Sequence, residues 1–167
     1  MFIMEEFQKR FEAVQGYLEL GMHAEALSEL AALEQDTGPR FEVLALRMSV
    51  LRNAGQWDAM REVAALIRRM RPEQAETWIW LADATRHSVS LEAAREILTE
   101  AEKSFPENPH IKFQIGCYHC RLGELDPAER YVRAAIALDR RWNRIARGDD
   151  DVREIWPRLA ADPKAGK

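Results

Sequence analysis

Hydrophobic and small residues along this chain recur with a period of 34 residues. Gly21 and Gly55 are 34 residues apart, and Pro72 precedes Pro106 by the same distance. Within each period, apolar residues return every three or four positions, which is the spacing of an α-helix with one buried face. In the first unit this stripe consists of Phe7, Phe11, Val14, Tyr17, Leu18, Ala26, Leu27, Leu30 and Leu33. A fixed period of this length predicts an array of helix–turn–helix units.

The period divides most of the chain into four units, each predicted as a helix, a tight turn and a second helix: 7–40, 41–74, 75–108 and 109–142. Glycines fall at the turns of three units, where a left-handed backbone lets the first helix end. Val89 takes this place in the third unit, so its turn needs another geometry. Ser90 and Asn108 precede predicted helices and suit their N-caps. Alanines at matching sites, Ala26, Ala94 and Ala128, allow close helix crossings.

After residue 142 the period fades. Three aspartates, Asp149–Asp151, precede a short apolar stripe formed by Val152, Ile155, Trp156 and Leu159. Acidic residues at a helix N-terminus complement the helix dipole. We therefore predict one capping helix over about 149–160, a single domain over 1–160 and a flexible tail over 161–167. The acidic run is also predicted to balance the preceding arginines, Arg140, Arg141, Arg144 and Arg147.

Composition narrows the classes of function. The 167 residues carry a net charge of −4, with 47% hydrophobic and 31% charged residues, an ordinary globular balance. The acidic charge gives no electrostatic support to nucleic-acid binding, and no apolar run is long enough to cross a membrane. Two cysteines and the absence of a secretory leader indicate the cytoplasm. The nucleotide-binding and hydrolase motifs are missing, so we predict no enzymatic activity.

The third unit resembles a tetratricopeptide repeat (TPR), on these residues: Trp78, Leu81, Ala82, Ala94, Leu98, Ala101 and Pro106. The chain as a whole is similar to small stand-alone bacterial arrays of that family. The resemblance implies an all-α fold, a right-handed superhelical array of four repeats closed by a C-terminal capping helix. The other units depart from the pattern, with Arg140 in place of a proline and Arg47-Met48 in place of the usual Leu-Gly pair.

In this family the first helices of successive repeats line a groove that holds a segment of another protein. The resemblance implies a non-enzymatic adaptor that binds a peptide without a cofactor. Arg52 and Arg86 fall at the same position of adjacent repeats, where they could bind an acidic segment. The carboxylate clamp of the family's co-chaperones is not matched. The implied groove residues are Phe11, Gln15, Leu18, Ala45, Ser49, Arg52, Asn53, Ile79, Asp83, Arg86, His87, His110, Phe113, Cys117, Cys120 and Arg121.

Three alternatives stay open. The degenerate first repeat, with Phe2 and Ile3 at its start, suggests a homodimer formed through an uncapped end. Cys117 and Cys120 lie on one helix face and could supply two zinc ligands, with histidines completing the site. We expect instead that they are reduced, packed side chains and that no metal binds. A secretion-type chaperone has a similar layout, with no motif that singles it out.

Overall fold

A computed structural model describes residues 2–161, with side chains from residue 6 onward. Its helices divide into two compact units, with the boundary between Arg71 and Pro72. Each unit contains two of the four predicted helical hairpins. The predicted tail begins at Ala161, and its remaining residues lie outside the described part of the chain.

The first unit consists of two helical hairpins. Its helices are α1 (Phe2–Glu19), α2 (His23–Thr37), α3 (Phe41–Asn53) and α4 (Trp57–Met70). Consecutive helices pack against each other, and α1 also contacts α3, the first helix of the next hairpin. Ala26 in α2 and Met60 in α4 are both fully buried, as expected for residues at the helix crossings. The core of the first hairpin is built from Val14, Leu30 and Leu33.

The second unit also contains two hairpins, followed by three short helical segments. The hairpin helices are α5 (Ala75–Ser88), α6 (Leu91–Ser104), α7 (Pro109–Arg121) and α8 (Leu125–Leu138). The short segments are α9 (Arg141–Gly148), a 3₁₀ helix (Asp150–Ile155) and α10 (Trp156–Ala160). Here too the first helices, α5 and α7, contact each other. Ala94 and Ala128 are fully buried at the crossings.

The local signals in the sequence explain where these helices begin and end. Gly21, Gly55 and Gly123 have φ values of 70°, 68° and 77°, the left-handed geometry predicted for the three turns. Val89, at the turn of the third predicted unit, has φ −128° and does not adopt this left-handed geometry. The side-chain oxygens of Ser90 and Asn108 accept hydrogen bonds from the backbone N–H groups of Ala93 and Ile111, at 3.1 and 3.0 Å. Both predicted N-caps are therefore confirmed.

The single capping helix predicted over about 149–160 is wrong in form. The chain is helical from Arg141, breaks at Asp149, forms the 3₁₀ helix, and starts α10 at Trp156. Val152 has non-helical angles, φ −114° and ψ 15°. Pro157 lies in the first turn of α10, where its missing N–H costs no hydrogen bond, and it could not occupy the interior of a longer helix.

Candidate functional site

Two arginines and two aspartates form the polar part of a candidate site in the second unit. On α5, Nε of Arg86 donates to Oδ1 of Asp83 at 2.9 Å. The guanidinium of Arg86 also lies 3.6 Å from Oδ2 of Asp151, which belongs to the 3₁₀ helix. Arg121, at the end of α7, lies 3.6 Å from Oδ1 of the same carboxylate. Asp151 therefore bridges the two first helices of this unit.

Apolar side chains extend the site along α7. Phe113, Cys117 and Cys120 belong to one buried cluster with Val152 and Ile155 of the 3₁₀ helix. Leu159 of α10 joins this cluster, and α7 packs directly against the 3₁₀ helix. The ring of Trp142, from α9, lies 4.8 Å from the ring of Phe113. Residues 149–160, which we call the C-terminal segment, thus cover the α7 face with both a carboxylate and apolar groups.

This cover corrects part of the predicted groove. The sequence placed Phe113, Cys117 and Cys120 on a surface open to a partner, but they are only 1–3% exposed. Ile79 on α5 is also buried, in the core cluster that α5 shares with α6 and α7. Helical periodicity identifies the face of α7 on which these residues lie. It does not reveal that a later segment packs on that face.

The two cysteines are reduced, and their surroundings favour the thiol over the thiolate. Burial raises the pKa of Cys117, and the carboxylates of Asp149 and Asp151 raise it further. Burial also raises the pKa of Cys120, although hydrogen bonds from the backbone N–H groups of Glu154 and Ile155 oppose the shift. Protonated, buried thiols are poor nucleophiles and poor zinc ligands. Among residues 6–161, no three His, Cys, Asp or Glu side chains are grouped to hold a metal ion.

The predicted histidines occupy different environments. His110, in the first turn of α7, lies with its ring 5.2 Å from that of Trp142. Burial lowers the pKa of His110, and the carboxylate of Glu76 counteracts part of the shift. His87 is exposed near the end of α5. The structure therefore places His110 beside the apolar cluster and His87 on the surface.

The predicted site residues of the first unit give α1 and α3 a polar face. Gln15 on α1 and Ser49, Arg52 and Asn53 on α3 are exposed. Asn53 donates to the carbonyl of Ser49 at 2.9 Å, and the Ser49 hydroxyl donates to the carbonyl of Ala45 at 3.2 Å. Phe11 and Leu18 on α1 are half-buried. This face thus combines one arginine with neutral polar groups.

The acidic run makes different contacts from those expected. Asp150 pairs with Arg153 at 2.5 Å, within the 3₁₀ helix, and Asp151 pairs with Arg86 and Arg121. Arg141, from the preceding basic cluster, pairs instead with Asp139 at 2.7 Å. The prediction that these neighbouring clusters balance each other locally is therefore wrong for these residues. A run of like charges in the sequence does not show which side chains will pair with it.

A second polar network was missed by sequence reasoning. Arg95 of α6 donates to Oε2 of Glu124 at 2.7 Å, and Nδ1 of His119 contacts the same oxygen. The His119 ring stacks on Tyr131 at 5.6 Å, and the Tyr131 hydroxyl donates to Glu102 at 3.0 Å. These contacts join α6, α7 and α8. The pairs Arg95–Glu124 and Glu102–Tyr131 each lie 29 positions apart, which differs from the 34-residue period of the array, so the repeat does not reveal them.

No protein-family model matches the chain, and no curated protein matches it. Several solved structures are similar to the chain. TTC0263, a TPR protein of Thermus thermophilus, is 19% identical with a TM-score of 0.66, over 95% of this chain and 86% of that chain. MamA 41-end from Desulfovibrio magneticus RS-1 is 17% identical with a TM-score of 0.68, over 80% and 76%. A further MamA structure is 14% identical with a TM-score of 0.68, over 91% and 87%.

These similarities show that the chain has the tetratricopeptide repeat fold, an all-α repeat of helical hairpins. At this level of identity they establish the fold alone. Within residues 2–161, no helix combines the length and apolar character required to span a membrane.

Proposed function

We propose that this chain is a non-enzymatic, cytoplasmic adaptor whose first helices bind a short segment of another protein. In the second unit, the predicted site residues already contact a short stretch of polypeptide, the chain's own C-terminal segment. That stretch offers a carboxylate to Arg86 and Arg121 and apolar side chains to α7. This intramolecular contact is the observation that carries the proposal, because the same chemistry serves for a segment of a partner.

The exposed face of the first unit supports the same role. It presents Arg52 with the amide and hydroxyl groups of Asn53 and Ser49, a combination that suits a carboxylate and the backbone of a bound peptide. Arginine is enriched among residues whose removal costs most binding free energy at interfaces. We therefore assign Arg52 as a principal contact of the partner.

Affinity capture from the native cell with tagged protein tests this assignment. Arg52→Glu should reduce recovery of the specific partner at least about tenfold, because a charge-assisted hydrogen bond is replaced by repulsion. Arg69→Glu is the matched control, since Arg69 is also an exposed arginine of the first unit but lies on α4, a second helix. Equal recovery with the two variants would contradict the proposed binding face.

A further inference from the structure

The C-terminal segment resembles a bound peptide in its chemistry. Four residues of the 3₁₀ helix are charged, and only Val152 and Ile155 are fully buried. A 3₁₀ helix has poor hydrogen-bond geometry and rarely persists alone. Its shape therefore depends on its contacts with α7, α8 and the two arginines more than on its own backbone. Displacement of this stretch would expose Phe113, Cys117 and Cys120, the apolar surface that it covers.

Building on the proposed function, we propose that the C-terminal segment is a built-in ligand that competes with the partner for the α7 face. The partner segment then carries the same pattern: a carboxylate followed by apolar side chains one and four positions later. In this chain the pattern is Asp151, Val152 and Ile155. The carboxylate binds Arg86 and Arg121, and the apolar groups bind the surface of Phe113, Cys117 and Cys120.

Two neighbouring aspartates make it possible to distinguish specific recognition of a carboxylate from a general effect of net charge. Asp151 bridges Arg86 and Arg121, whereas Asp150 pairs with Arg153 inside the segment and is largely exposed. Removing either carboxylate changes the net charge equally. Only the loss of Asp151 removes a contact with the α5 and α7 arginines.

Other contacts set how firmly the segment is held. Nε1 of Trp156 donates to the carbonyl of Ala146 at 2.7 Å, and Arg158 pairs with Asp126 at 2.7 Å. These bonds attach α10 to α9 and α8. A tethered segment has an effective concentration in the millimolar range, so a free peptide competes poorly until the tethered copy is weakened. Ile155→Ala weakens it at the fully buried anchor.

The test uses a fluorescent peptide with the sequence of residues 148–161 and the full chain, monitored by fluorescence anisotropy. The peptide should bind the folded Ile155→Ala chain at least about tenfold more tightly than the unsubstituted chain, because the competing segment is weakened. Adding Arg121→Glu to the Ile155→Ala chain should abolish this binding. The Asp151→Ala peptide should bind more weakly than the Asp150→Ala peptide. Should Ile155→Ala fail to fold, the Asp151→Ala chain replaces it, with a severalfold gain expected.

Three results would overturn the inference: no binding to the folded, weakened chain, equal binding to weakened and unsubstituted chains, or equal behaviour of the two aspartate peptides. Sedimentation of the unsubstituted chain tests whether a second copy of the chain, and not a partner, occupies the α7 face. A dimer that Arg121→Glu dissociates would assign the α7 face to the segment of a second copy and not to a partner. Because Arg52 belongs to the other unit, partner capture through Arg52 can succeed or fail independently of these measurements.

Discussion

Gly116 provides a sharp test of the packing between α7 and α8. A Cβ atom added there would lie 2.8 Å from Cγ2 of Val132, 3.3 Å from the carbonyl oxygen of Ala128 and 3.3 Å from the backbone nitrogen of Val132. Val132 is fully buried, and valine in a helix is confined to essentially one rotamer. The backbone atoms of α8 cannot move without shifting the helix. Gly116→Ala should therefore strain this hairpin.

The expected change in the free energy of unfolding of Gly116→Ala follows from two opposing effects. Overpacking a well-filled core costs about 1–3 kcal/mol, and the contact with backbone atoms points to the upper part of that range. Replacing glycine by alanine inside a helix stabilises the folded chain by about 0.8–1 kcal/mol. The net loss in the free energy of unfolding should be about 1–2 kcal/mol, or about 2–8 °C in melting temperature for a chain of this length.

Gly16→Ala is the matched control. Gly16 also lies inside a helix, α1, and nothing lies within 4 Å of its added Cβ. The same substitution should therefore stabilise the chain there, by about 0.5–1 kcal/mol. Thermal and urea unfolding followed by circular dichroism would measure both variants. If Gly116→Ala leaves stability unchanged or raises it as Gly16→Ala does, the close approach of α7 and α8 is refuted.

Two further predictions concern titratable groups of the second unit. Because burial lowers the pKa of His110, the unfolded chain binds a proton there before the folded chain does, so stability should fall as the pH drops below about 6.5. His110→Gln should remove this component in urea titrations between pH 7 and pH 5, and an unaltered pH dependence would contradict the assignment. Because burial raises the pKa of Cys117 and Cys120, a colorimetric thiol reagent at pH 7.5 should react at least about a hundredfold more slowly than in the denatured chain. Ile155→Ala should accelerate that reaction, and fast labelling of the unsubstituted chain would show that the cover is absent.

The repeat helices could be predicted because their signals are local. A glycine with positive φ, such as Gly55, needs only its own turn, and Ser90 caps a helix that begins at the next residue. Prolines behave similarly: α4 and α6 end two residues before Pro72 and Pro106. Each of these features is determined by residues only a few positions away, so it can be predicted directly from the sequence.

The candidate site could be predicted only in part. Arg86 and Arg121 were identified by their place on the first helices, but their contact with Asp151 spans 65 and 30 positions (151 − 86 and 151 − 121) and lies outside the repeat. Apolar periodicity marks Phe113 and Cys117 equally well as an open groove or as a covered core. Only the path of the chain after residue 148 decides between them.

The cover over α7 changes how a mutational survey of this helix should be interpreted. Truncating Phe113 or Cys117 removes atoms from the interior, so a lost interaction could reflect an unfolded hairpin instead of a lost contact. Arg121, whose side chain is 42% exposed, is a position on α7 where the two effects can be separated. Any screen for loss of recognition therefore needs a folding readout for every variant at an interior position.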